Sequence, residues 1–108
     1  MFARVATFEG IDGTRAAEAV PVARERAVSI LENVAGWQGA MQLLDRDNGK
    51  LLVLQVFDSK ENMEAAESTF ENMPQQLGPE VREMLAGKRP SVDKFEIMAA
   101  RGIPDVNK

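Results

Sequence analysis

Few residues of this chain can do chemistry. There is no His, no Cys and no Tyr among its 108 residues, which removes the usual neutral-pH base, the thiol nucleophile and the commonest transition-metal ligands. Catalysis would have to rest on carboxylates, Lys, Arg, hydroxyls, amides or a reactive substrate. Three residues stand out by context. Arg4 lies among apolar residues in Phe2-Ala3-Arg4-Val5-Ala6-Thr7-Phe8, where a cation must be paired or must hold an anion. Its ion-pair candidates are Glu96 and Asp93, and the competing role is binding an anionic oxygen of a substrate. Gln55 interrupts the apolar run Leu51-Leu52-Val53-Leu54-Gln55-Val56-Phe57. A buried amide needs partners, either across a dimer or on a substrate. Trp37, the sole tryptophan, offers a face for stacking on an aromatic ligand, or serves as a structural residue at a helix-to-strand junction.

Other patterns carry less chemistry. Asp45-Arg46-Asp47-Asn48-Gly49 imitates the start of a calcium loop, but Val56 stands where the distal glutamate is needed and a strand follows, so turn chemistry is the reading. Glu61, Glu64, Glu67 and Glu71 recur at helical spacing opposite an apolar stripe and are expected on a solvated face. No converging carboxylates suggest a metal, and no cofactor is expected. A formal net charge of −4 argues against a nucleic-acid partner. No run approaches the roughly 20 apolar residues of a membrane helix, and the start MFARVATFEG lacks a signal peptide's basic flank and apolar core. A cytoplasmic protein is expected.

The elements that must position these residues follow from periodicity. Phe2 to Glu9 alternates as a strand. Ala16 to Val34 carries Val20, Ala23, Ala27, Ile30, Leu31 and Val34 at helical period, with Pro21 expected in a first turn or at a kink and Gly36 as the left-handed cap. Strands over Trp37 to Asp45 and Lys50 to Asp58 flank an Asn48-Gly49 hairpin. Asp58 or Ser59 caps a second helix whose stripe is Met63, Ala66, Phe70 and Met73, ending at Pro74. A short helix opens at Pro79, and Ser91 to Arg101 forms a last strand. This order is α+β, the ferredoxin-like βαββαβ arrangement, a four-stranded antiparallel sheet with its helices on one face. The third strand is apolar on both sides, so the helix-free face calls for a cover, and a homodimer of sheet on sheet is expected. Residues 1–102 are read as one domain and 103–108 as a short tail.

Gly36-Trp37-Gln38-Gly39 opening the second strand, the Asn48-Gly49 hairpin, and Phe57-Asp58-Ser59-Lys60-Glu61-Asn62-Met63-Glu64-Ala65 opening the second helix together resemble the antibiotic biosynthesis monooxygenase-like family of dimeric α/β barrels. The resemblance spans Phe2 to about Arg101 and speaks for fold more than for activity. It implies a dimeric barrel and either cofactor-independent oxidation of a reduced polyphenol that itself reacts with oxygen, haem degradation, or no assigned activity. The haem-degrading branch has an Asn, a Trp and a His at places that fall near Ala6, Ala66 and Gln76 here. None of the three is kept, and no His is present to ligate haem iron. The expected function is therefore a cofactor-independent monooxygenase acting on a small apolar, aromatic or quinol-type molecule. Its pocket is expected between sheet and helices, with Arg4, Phe8, Trp37, Met41, Gln55, Phe57 and Phe70 as candidate lining residues. The rival is a non-catalytic dimeric barrel that binds a small ligand or serves a structural role.

Overall fold

A computed structural model of the chain describes residues 1–103. The elements are β1 (Phe2–Phe8), α1 (Gly13–Leu31), β2 (Trp37–Asp45), β3 (Lys50–Phe57), α2 (Lys60–Ala65), α3 (Glu67–Asn72), a 3-10 turn (Met73–Gln76), α4 (Pro79–Met84) and β4 (Ser91–Glu96). The strands form one antiparallel sheet in the order β2-β3-β1-β4, the ferredoxin-like topology expected from the element order. The expected tail falls, apart from Ile103, outside the described residues.

Register and pleat fix the two faces. Arg4 pairs with Gln55 on β3 and with Lys94 on β4, and Ala6 pairs with Val53 and Val92. Since strand side chains alternate, Phe2, Arg4, Ala6 and Phe8 share a face with Leu51, Val53, Gln55 and Phe57. That face packs against the helices. Ala16, Ala19 and Ala23 are the buried residues of the middle of α1, and their small side chains let the helix backbone approach the sheet. The opposite face carries Val5, Leu52, Leu54, Val56, Met41, Leu43 and Phe95 with no helix over it; Leu43 and Phe95 are 43% and 54% exposed.

Several expectations need correction. The first helix starts earlier, because Asp12 caps it by accepting from the N–H groups of Thr14 and Arg15. Pro21 therefore sits inside α1 rather than in its first turn. The second helix is not continuous: a turn at Ala66 separates α2 from α3, in a stretch where Ser68 and Thr69 are weak helix formers. The last strand stops at Glu96 instead of Arg101. Its ladder neighbour β1 begins at Phe2, which pairs with Glu96, and beyond it only the Ile97 N–H to Met1 C=O bond remains, at 2.9 Å. All six β4 residues are exposed, as suits a strand at the sheet edge.

The hairpin and the Ser59 cap form as expected, but α1 ends at Leu31 with Glu32 as its C-cap, short of the expected Val34, so Gly36 does not cap the helix and instead turns the chain into β2. Asp45 pairs with Lys50 around a turn closed by Gly49 at φ 63°. Ser59 Oγ accepts from the Asn62 N–H at 3.1 Å. Gly36 takes φ 79°, and a Cβ there would collide with Asp58 and Asn62, whose side chains bond each other at 2.9 Å.

Candidate functional site

The helix-side interior is divided into two apolar clusters. One gathers Ala6, Phe8, Ile11, Leu51, Val81 and Met84 against α1. The other gathers Leu31, Phe57, Met63, Phe70 and Met73, with Trp37 against it. Between them a polar row crosses the sheet: Lys94 on β4, Arg4 on β1 and Gln55 on β3 are register neighbours. Arg4 and Gln55 are 6% and 3% exposed. Groups buried so deeply persist only when bonded, and both are. Arg4 Nε donates to Glu67 Oε1 at 2.7 Å and its Nη2 to Oε2 at 3.3 Å, while the guanidinium lies 4.5 Å from the centre of the Phe70 ring, within cation–π range. Gln55 Oε1 accepts from the Trp37 indole N–H at 2.8 Å. Lys94 Nζ reaches the same Glu67 carboxylate at 3.4 Å. The hydrogen bond from Arg4 holds the Glu67 carboxyl below the ordinary glutamate range, against the opposing effect of burial. The carboxylate is thus a weak base facing two cations.

Arg4's partner is therefore Glu67 and not Glu96 or Asp93. Glu67 in turn is not on a purely solvated face. The apolar stripe Met63, Ala66, Phe70 and Met73 is buried as expected, and Glu67, one helical turn from Met63 and from Phe70, borders that stripe rather than lying opposite it. Gln55 finds its partner within the chain, in Trp37. Of the seven candidate residues, six lie on the helix side of the sheet: Arg4, Gln55 and Trp37 in or beside the polar row, Phe8 in one apolar cluster, Phe57 and Phe70 in the other. Phe57 and Phe70 meet edge to face, with ring centres 6.0 Å apart. Met41 pairs with Leu54 and faces the helix-free side, apart from the rest. Glu67, expected on a solvated face, and Lys94 complete the row and were not among the seven candidates. Lys94 sits opposite Arg4 only through the β1–β4 register, and no local pattern announces that.

A cleft of about 210 Å³ opens elsewhere on the helix side, between α1 and the strands β2 and β3. Ala16, Val20, Leu44 and Leu51 give it an apolar floor, and Gln42 and Arg46 are its polar residues. None of the seven candidate residues lines it. Among the described residues no group of three or more acidic side chains converges as a metal site, and no helix is long and apolar enough to cross a membrane.

The sequence matches no protein-family model, and no curated protein is similar to it by sequence. Solved structures are similar in fold. A monooxygenase from the ActVA-Orf6 gene of Streptomyces coelicolor, in complex with nanaomycin D, superposes with a TM-score of 0.67 at 16% identity, over 96% of this chain and 92% of that one. The haem degrader MhuD of Mycobacterium tuberculosis, with two haems in its active site, gives 0.61 at 20% identity, over 94% and 100%. SnoaB, a cofactor-independent oxygenase from Streptomyces nogalater, gives 0.58 at 13% identity, over 96% and 97%. Structures described as candidate antibiotic biosynthesis monooxygenases from Bordetella bronchiseptica and Chloroflexus aurantiacus share the fold as well. The structural neighbours are thus antibiotic biosynthesis monooxygenase proteins, as the resemblance in sequence implied, and likeness at this level of identity establishes the fold.

Proposed function

We propose that this protein is a cofactor-independent monooxygenase acting on a small apolar aromatic or quinol-type molecule, with Arg4, Gln55 and Trp37 at its centre. The observation that carries this reading is the burial of two polar residues, Arg4 and Gln55, side by side in the middle of an apolar core, with Lys94 beside them at the exposed sheet edge, where a merely structural domain of this size would place apolar side chains at lower cost. Similarity of fold to monooxygenases, one of them cofactor-independent, supports it.

The chemistry needs no bound group. A phenol that loses its hydroxyl proton can pass one electron to O2; the two radicals then join at a ring carbon, and loss of water gives the quinone. One oxygen atom enters the product and the other leaves in water. Arg4 would stabilise the substrate oxyanion in a site of low dielectric, Gln55 would orient it, and the Trp37 ring would pack on the aromatic body. The phenol proton leaves to water. Access requires displacement of Glu67 and Phe70, which both ride on the six-residue α3, a helix without a side-chain cap. The homodimer belongs to this proposal too: the helix-free face, with Leu43 and Phe95 exposed, is covered by a second copy. So do a single domain over residues 1–102 and a cytoplasmic setting.

A second reading, a non-catalytic barrel, is favoured by two observations: Phe8, Phe57 and Phe70 are buried in the interior, and Arg4 and Gln55 already have partners in Glu67 and Trp37. Oxygen uptake with a panel of hydroquinones and naphthols, in the presence of a chelator, separates the two. Saturable uptake that Arg4→Met removes supports the oxygenase. Rates equal to uncatalysed autoxidation across the panel leave the non-catalytic reading standing.

A further inference from the structure

The cleft between α1 and β2 has features that the polar row does not explain. Its floor is apolar, formed by Ala16, Val20, Leu44 and Leu51, and its volume is about 210 Å³. That is below the roughly 300 Å³ at which drug-sized pockets begin, and above the roughly 150 Å³ that holds a benzene ring. The size suits one or two rings.

Its polar groups are placed for a ligand that carries charge. Arg46 lines the cleft and makes no ion pair among the described residues. Its acidic neighbours do not neutralise it. Asp45 accepts from the Asn48 N–H at 3.3 Å and from Asn48 Nδ2 at 2.8 Å and pairs with Lys50 across the hairpin, and Asp47 lies exposed in the turn. Gln42 adds an amide on the helix side of β2.

The walls are also fixed in place. A Cβ at Gly13, the first residue of α1, would collide with the Arg46 carbonyl, and one at Gly49 with the Ile11 carbonyl. The Ile11 N–H donates to Gly49 C=O at 3.0 Å. The hairpin that carries Arg46 is thereby clamped to the start of the helix that forms the opposite wall, so the site is set before any ligand arrives.

We propose that this cleft is a binding site for a small aromatic acid of one or two rings, separate from the polar row, with Arg46 holding the carboxylate and the floor of Ala16, Val20, Leu44 and Leu51 holding the ring. It stands whether or not the protein consumes oxygen. The test is an amide chemical-shift titration of the full chain with three probes, benzoate, benzamide and acetate, each to about 20 mM, since an open cleft and a ligand of this size give affinity on the order of 1 mM. Benzoate is expected to move the resonances of Ala17, Gln42, Leu44 and Arg46 while leaving the Trp37 indole N–H in place, and to bind about fivefold more tightly than either benzamide or acetate. Arg46→Gln, whose side chain is exposed, keeps the fold and is expected to bring benzoate down to the benzamide level. No shift at the cleft, acetate or benzamide equal to benzoate, or unchanged affinity in Arg46→Gln would overturn the proposal.

Discussion

Removing either member of the Arg4–Glu67 pair should have unequal consequences, and the inequality follows from burial. The Arg4 side chain is 7% exposed and that of Glu67 30%. Glu67→Gln removes the one carboxylate bonded to the guanidinium among the described residues and leaves Arg4 charged in the interior, with Lys94 as a like-charged neighbour on the adjoining strand. Breaking a buried pair in this way costs about 3–5 kcal/mol; with Glu67 partly in water, about 2–4 kcal/mol is the expected loss. Arg4→Met removes the buried charge itself, keeps an unbranched side chain against Phe70, and leaves Glu67 with Lys94 and solvent. Its expected loss is about 0–1.5 kcal/mol. Urea unfolding followed by fluorescence of the sole tryptophan gives both values, provided the slope m is unchanged. The pH dependence supplies a second check. Glu67 has a lowered folded-state pKa, so its contribution is complete above the unfolded value near 4.5 and fades as pH falls through the lower folded value. Glu67→Gln should lose that portion of the acid sensitivity. If Arg4→Met proves as costly as Glu67→Gln, or if Glu67→Gln is as acid-sensitive as the parent, the account of the buried row is wrong.

Other substitutions probe other links. Ser59→Ala removes the α2 cap and should cost about 0.5–2 kcal/mol by urea unfolding, with turnover per folded molecule unchanged. Gly36→Ala should destabilise by about 1–3 kcal/mol, because its φ is 79° and its Cβ would meet Asp58 and Asn62. Gly39→Ala, with nothing within 4 Å of the added carbon, should be near neutral in the same assay. Leu43→Glu combined with Phe95→Glu places charges on the helix-free face; sedimentation equilibrium should show the parent at twice the 11.9 kDa chain mass and the double variant at once that mass.

Much of the architecture was legible because it rests on local signals. The Asn48-Gly49 turn, the Ser59 cap, Gly36 and the two-sided apolar run Leu51 to Phe57 each act within a few residues, and together they imply the strand order. What failed depended on distant partners. The end of β4 is set by where β1 begins, which no residue near Glu96 reveals. Glu67 borders the buried stripe of Met63 and Phe70, and only its bond to the distant Arg4 shows that its carboxylate turns inward. Arg4 and Gln55 were conspicuous as polar residues in apolar strands, yet their partners lie 63 and 18 residues away in sequence. The cleft was invisible for the same reason, because it exists only where Gly13 and the hairpin turn meet.

The most direct test of the proposed activity follows the oxygen atoms. Metal-free protein is incubated with 18O2, a chelator and a hydroquinone or naphthol that supports saturable uptake, and the product is analysed by mass spectrometry. Monooxygenation without a cofactor predicts a quinone two mass units heavier, from a single labelled atom, with the second label in water and no peroxide. An unlabelled quinone with labelled peroxide would mean simple oxidation, and no product above the uncatalysed background with any substrate would contradict the claim that this fold is an oxygenase here.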